Sequence, residues 1–326
     1  MHTVFQNTDL KKIDFAKDVV DIFVEDCYLD FELLWQKARQ FPNTKFNITW
    51  HHVYYGETPD NVKIVCDITK HKSIYKYYNK LKSNSFEKNI KHTVSTFNGS
   101  THPTRTILCI LLLKHDLWRN KFCKKAFTEN LGVISRILSV EDQKKFAHGL
   151  TQKQIKTFLR TSNSIDYNQN TRHQPDTNFA ILKPLMDQTL INISTPAPNG
   201  GKYDTPCPDE KLILPIAAKS IWISFACSGY HQHVKQFYGF KLFENIFDYA
   251  FDNVSDVYTR LEKMMSQIVD IHKLPNKQKQ QLHDENLGII EYNYNHLVSG
   301  SWIDHFHNAY KKYSLTNSTQ NHIIKK

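Results

Sequence analysis

The chain has 326 residues, 40% of them hydrophobic and 13% aromatic, and a formal net charge of +10. That length is comfortable for two α/β domains, and the composition is that of a folded chain, not a disordered one. The longest unbroken apolar run, Ile107 to Leu113, falls far short of the ~20 residues that cross a bilayer. The first residues lack the charged-then-apolar layout of a signal peptide, so a cytoplasmic protein is expected. The cysteines are scattered with no CxxC pair, which predicts free thiols and no zinc knuckle.

The stretch "DVVDIFVEDCYLDFELLWQKARQF" mixes strand-like and helix-like spacing and breaks at Pro42. "VKIVCDIT" reads as a strand, "KHKSIYKYYNKLK" as a basic helix with interleaved tyrosines, and "KHTVSTF" as another strand. The turn-rich "NGSTHPT" then leads into a strongly apolar helix from about Arg105, and residues 126–160 read as further helices. Residues 160–178 are the most polar and least periodic, which places a domain junction near 170. The division is 1–170 and 171–326. Beyond it come a strand over "TLINIST", a long loop, a helix over "EKLILPIAAK" despite Pro215, and a strand over "SIWISFA". Helices are expected at 230–239, 255–271 and 276–284, with a closing helix over "WIDHFHNAYKKY" placed to pack back on the N-terminal part. Strands alternating with helices argue for an α/β fold with parallel sheets.

The positive charge is local. Residues 62–125 hold fourteen Lys and Arg against three Asp and Glu, so this stretch carries the whole excess. Such a segment suits a polyanionic partner.

Two strand–loop–helix junctions could carry chemistry, because ligands of open α/β sheets gather where such loops leave the strands. In the first, Asn98 to Thr101 supply small donors, Pro103 lies just before the helix, and Arg105 sits in its first turn. An arginine there opposes the helix dipole, which makes sense beside a bound anion; the alternative is an ordinary turn with a surface arginine. The second places Glu210 and Lys211 side by side at a helix start. A carboxylate can accept two ribose hydroxyls and an ammonium can hold a diphosphate. The bland alternative is a cap beside a solvated lysine. The pairs His231/His233 and His305/His307 are read as helical, where i and i+2 diverge, so neither is taken as a metal site. GxGxxG, Walker and GxSxG motifs do not occur.

The block "DEKLILPIAAKSIWISFACSGYHQHVKQFYGFKLFENIFDYAFD" resembles small phage and giant-virus glycosyltransferase-like proteins with a Glu-Lys donor-binding helix. Glu210, Lys211, Pro215, Ile216, Gly239, Phe240, Lys241, Phe243, Asp248 and Asp252 carry the match. The same helix resembles the donor half of B-type glycosyltransferases of the fucosyltransferase and exostosin kind. "FNGSTHPTR" looks like that family's Arg-Pro-x-x-His-Arg loop, with Arg105 on its final arginine. Together the blocks cover about a quarter of the chain. Asp209 stands where the pattern has Thr, Leu212 and Ile213 replace Thr-Phe, and the upstream strand lacks the usual acid.

The resemblance implies two Rossmann-like domains with a cleft between them and a metal-independent transfer of sugar from a nucleotide sugar, with no separate cofactor. Arg105, Glu210, Lys211, Ser228 and Gly229 are then the donor-binding set, and His102 is the candidate base. The acceptor side would use Asn98 with Lys70, Lys72, Tyr75, Lys76, Tyr77 and Tyr78, which suits a hydroxymethylated base in phage-type DNA. Two alternatives stay open: a non-catalytic nucleic-acid-binding protein, and a glycosyltransferase acting on a surface polysaccharide. A viral enzyme would work in the cytoplasm of its host cell.

Overall fold

The computed structural model describes residues 2–4, 7–24, 31–50, 52–54, 57–68, 88–97, 103–119, 123–124, 175–196, 206 and 208–323. Two small parallel sheets organise them. The first has the order β1 (His2–Val4), β2 (Val19–Val24), β3 (Lys45–Trp50), β4 (Val62–Cys66). Burial in β2 and β3 largely alternates along the strand, as it does when only one face of a sheet is covered. The covered face packs with α1 (Phe31–Gln40), whose Leu34, Trp35 and Ala38 join Ile22, Phe46 and Ile48 in one core. The "mixed" N-terminal stretch is thus a strand followed by a helix.

The second sheet has the order β6 (Cys123–Lys124), β5 (His92–Phe97), β7 (Thr189–Ser194), β8 (Ile221–Ser224). Every residue of β7 and β8 is buried, as in a parallel sheet covered on both faces. In register, Val94 faces Ile191 and Ile193 faces Ile223. Helices α2 (Pro103–Lys114), α3 (Pro175–Met186) and α4 (Glu210–Ala217) belong to this layer. In α2, Ile107 to Leu112 are all buried, so the helix is interior on every side. Pro103 is its first residue, not its predecessor; the missing N–H costs nothing at that position.

The C-terminal part is helical: α5 (Tyr230–Tyr238), a 3-10 turn (Tyr249–Asn253), α6 (Val257–Lys273), α7 (Asn276–Glu285), α8 (Leu287–Val298) and α9 (Ser301–Ile323). Helix α3 begins inside the stretch of least periodicity, with Pro175 at its first position. Helix α8 is missing from the sequence reading because its run of Gly, Asn and Tyr carries little helical propensity of its own. The second sheet takes strands from both sides of residue 170, so the division between the sheets falls between residues 68 and 92. Helix α9 reaches the first sheet, where the Cys66 N–H donates to the Tyr310 hydroxyl at 3.2 Å. The described cysteines Cys66, Cys109, Cys123 and Cys227 are free and buried. No described helix is long and apolar enough to cross a membrane.

Candidate functional site

The central strands of the second sheet send the chain outward in opposite directions, β5 towards β6 and β7 towards β8. In open parallel sheets, ligands bind beyond the carboxyl ends of strands at such a reversal. Helices α2, α4 and α5 begin at this edge because they follow β5, β7 and β8. Arg105, in the first turn of α2, is only 1% exposed. Its Nη2 donates to the carbonyl of Thr195, the residue after β7, at 3.1 Å. The guanidinium is therefore an internal bridge between the diverging segments, and the surface-arginine alternative is set aside.

At the start of α4 the cap is Asp209, not Glu210. Its Oδ1 accepts from the Lys211 N–H at 2.9 Å, and its Oδ2 from Lys211 Nζ at 2.9 Å. Lys211 Nζ also donates to Glu210 Oε1 at 2.8 Å. The Lys211 and Glu210 side chains are 17% and 28% exposed, so neither is simply solvated. Burial alone would lower the Lys211 pKa, but the two carboxylates overcome it and hold the ammonium above the usual lysine range. The Arg105 charge acts on both Asp209 and Lys211. Tyr230, which opens α5, is fully buried, and burial together with the Asp209 carboxylate raises its hydroxyl pKa. Asp209, Glu210 and Lys211 are thus joined by hydrogen bonds, and Arg105 and Tyr230, from two other junctions, lie within electrostatic reach of them.

Ser228 and Gly229 are used differently. Gly229 is the cap just before α5, at φ 74°, a conformation that favours glycine. Ser228 Oγ and the Gly229 N–H both donate to the Asp252 carbonyl, at 2.9 and 2.8 Å. The Asp252 carboxylate accepts from the His231 N–H at 2.9 Å and from the His231 ring at 2.8 Å. His231 Nε2 accepts the Ser224 N–H at 3.0 Å, so Nδ1 carries the hydrogen facing Asp252. Helix α5 therefore holds its own anion. Ser228 and Gly229 are half-buried, and the Ser228 hydroxyl and the Gly229 N–H are both spent on Asp252.

Other residues that carry the resemblance also have structural work. Gly239 lies at φ 73°, and a Cβ there would meet His296 Nε2 at 2.8 Å. Phe240 and Phe243 are in the core, and Lys241 Nζ stands 4.1 Å over the Tyr292 ring. Asp248 caps the 3-10 turn. The helical reading of His231 and His233 holds, and both are buried. Among the described residues, no three His, Cys, Asp or Glu side chains are grouped as metal ligands. His102, Asn98, Lys70, Lys72, Tyr75, Lys76, Tyr77 and Tyr78 lie outside the described residues.

Sequence reasoning misses Asp209, Tyr230 and the His231–Asp252 pair. Asp209 carries a legible signal, since an Asp immediately before an apolar helix is a preferred cap. The other two carry none, because their partners are distant in the chain. No protein family, curated protein or solved structure matches this chain.

Proposed function

We propose that the protein is a metal-independent glycosyltransferase that takes its sugar from a nucleotide sugar, with two Rossmann-like halves flanking the donor. The observation that carries this reading is the convergence of Arg105, Glu210 and Lys211, from two separate junctions, at the reversal of a parallel sheet. The donor diphosphate would lie against Lys211, with the charge of the buried Arg105 acting from behind it, and Glu210 would accept the ribose hydroxyls. When Glu210 turns to the ribose, Lys211 is left with Asp209 alone and its charge becomes available to phosphate. In the transfer, the acceptor oxygen bonds to the anomeric carbon while the bond from that carbon to the diphosphate breaks. The diphosphate leaves with the electron pair, stabilised by fixed positive charge where other enzymes use a metal ion. His102 is the proposed base for the acceptor proton.

The basic stretch 62–125 favours a polyanionic acceptor, and we propose a hydroxymethylated base of phage-type DNA. Neutralising about six phosphates would give a log–log salt slope near −5, which a neutral glycan cannot produce. Tyr75, Tyr77 and Tyr78 would stack on the opened strand. The same stretch supports a second reading, nucleic-acid binding without catalysis.

Titration calorimetry with UDP, GDP, ADP, CDP and TDP tests the donor site; absence of binding to all five sinks it. A labelled-sugar transfer assay against hydroxymethylated DNA, plain DNA and polysaccharide tests the acceptor. Label in polysaccharide alone removes the DNA assignment and leaves the transferase. Salt-dependent DNA binding that survives Glu210→Ala and Lys211→Ala, with no transfer, favours the second reading.

A further inference from the structure

A depression of about 950 Å³ lies among α5, the segment 242–253 and α6, and none of Arg105, Asp209, Glu210 or Lys211 lines it. Four side-chain amides line it, Gln232, Asn245, Asn253 and Gln267, and the first three are available to a ligand. All three residues are exposed, and the described residues give their side chains no hydrogen-bond partner. Leu242 and Phe247 are buried in its wall, and Ile246 and Tyr249 are half-buried beside them.

The frame around these groups is fixed. The Asp248 N–H donates to Gln267 Oε1 at 2.7 Å, and Gln267 Nε2 returns a bond to the Asp248 carbonyl at 2.9 Å. The Phe243 N–H donates to the Tyr249 hydroxyl at 3.3 Å, and Asp252 is locked by His231. The amides are thus mounted on a rigid support, which lowers the cost of binding.

Charge narrows the ligand. Among the described residues the lining holds Glu244, Asp248 and Asp252 and no cation, and the nearby Lys235 is paired with Glu244 at 2.7 Å. Phosphates and nucleic acid are disfavoured there. A peptide adding a strand to a sheet edge is disfavoured too, since no described strand borders the depression. A neutral sugar fits both kinds of surface. Each hydroxyl donates and accepts, as each amide does, and the C–H face of the ring can lie on the apolar wall.

We propose that this depression is a binding site for a neutral saccharide, separate from the donor site and independent of that assignment. The test is saturation-transfer NMR on the full chain with neutral trisaccharides of gluco, galacto, manno and N-acetylglucosamine configuration. At least one is expected to bind, with the strongest transfer to ring C–H protons. Gln232→Ala, Asn245→Ala and Asn253→Ala should each weaken it about fivefold, the worth of one hydrogen bond. The three side chains are exposed, so the variants should fold, which circular dichroism checks, and nucleoside diphosphate binding should be unchanged. No transfer to any of the four sugars, or binding indifferent to all three substitutions, overturns the proposal. Loss of nucleotide binding in the wild-type assay bears only on the donor site.

Discussion

Arg105 and Thr195 are joined across the reversal of the second sheet by a 3.1 Å hydrogen bond from a fully buried guanidinium to a backbone carbonyl. The bond ties the first turn of α2 to the end of β7, so the candidate site and the sheet share one support.

Arg105→Met should therefore destabilise the fold. Methionine keeps most of the length but removes the bond to the Thr195 carbonyl and leaves the neighbouring carboxylates less compensated. The expected cost is about 2–4 kcal/mol in urea unfolding. Arg105→Lys should lose less. An unchanged midpoint in the methionine variant would show that the guanidinium does not support the fold.

Lys211→Ala and Glu210→Gln should separate binding from catalysis. Removing the Lys211 cation should cost roughly 2–4 kcal/mol of transition-state stabilisation, seen mainly in kcat. Glu210→Gln should act mainly on nucleotide affinity. Lys211 bridges and neutralises two carboxylates. Its loss should also cost about 1–2 kcal/mol of stability. Unchanged kcat/KM in Lys211→Ala would remove Lys211 from the chemistry.

Asp209→Thr should strengthen nucleoside diphosphate binding. Threonine can still cap α4, while one of the two charges held on Lys211 disappears. An increase of several-fold, roughly 1 kcal/mol, is expected by calorimetry. Weaker binding would argue that Lys211 does not meet the phosphates.

Asp252→Asn tests the clamp behind α5. Only one oxygen remains to serve both the His231 ring and the helix N–H groups. With Asp252 4% exposed, the loss should reach about 2–4 kcal/mol in thermal unfolding. A native-like midpoint would mean that the pair adds nothing to stability.

Stability should climb with pH in two windows. Burial lowers His233 from 6.5 to about 3, so between those values the unfolded chain binds a proton that the folded chain does not. Stability is full above pH 6.5 and falls as pH drops towards 3. Burial likewise lowers Lys88 from 10.5 to about 7, in spite of the Asp187 charge, which gives a second rise from pH 7 to 10.5. His233→Phe should flatten the acid limb and Lys88→Met the alkaline one. Denaturant midpoints against pH check both, and limbs that keep their slopes in the variants would count against these two groups.

The sequence by itself determined the local elements of the second sheet. Apolar runs at "TLINIS" and "IWIS" made buried strands, and "EKLILPIA" made a helix in spite of Pro215. Periodicity reports which face of a segment is buried, and that information is local. It also put Arg105, Glu210 and Lys211 at helix starts, where the structure has them. Only the tertiary structure decided that strand 92–97 pairs with strand 189–194, which brings Arg105 to Thr195 and its charge to Lys211. Strand pairing across about a hundred residues leaves no mark in the spacing of either strand. The fate of Ser228 and Gly229 was non-local too. Whether a helix N-terminus is open to a ligand depends on which carboxylate reaches it, and Asp252 does so from beyond the end of α5, by a turn of chain that no periodicity records.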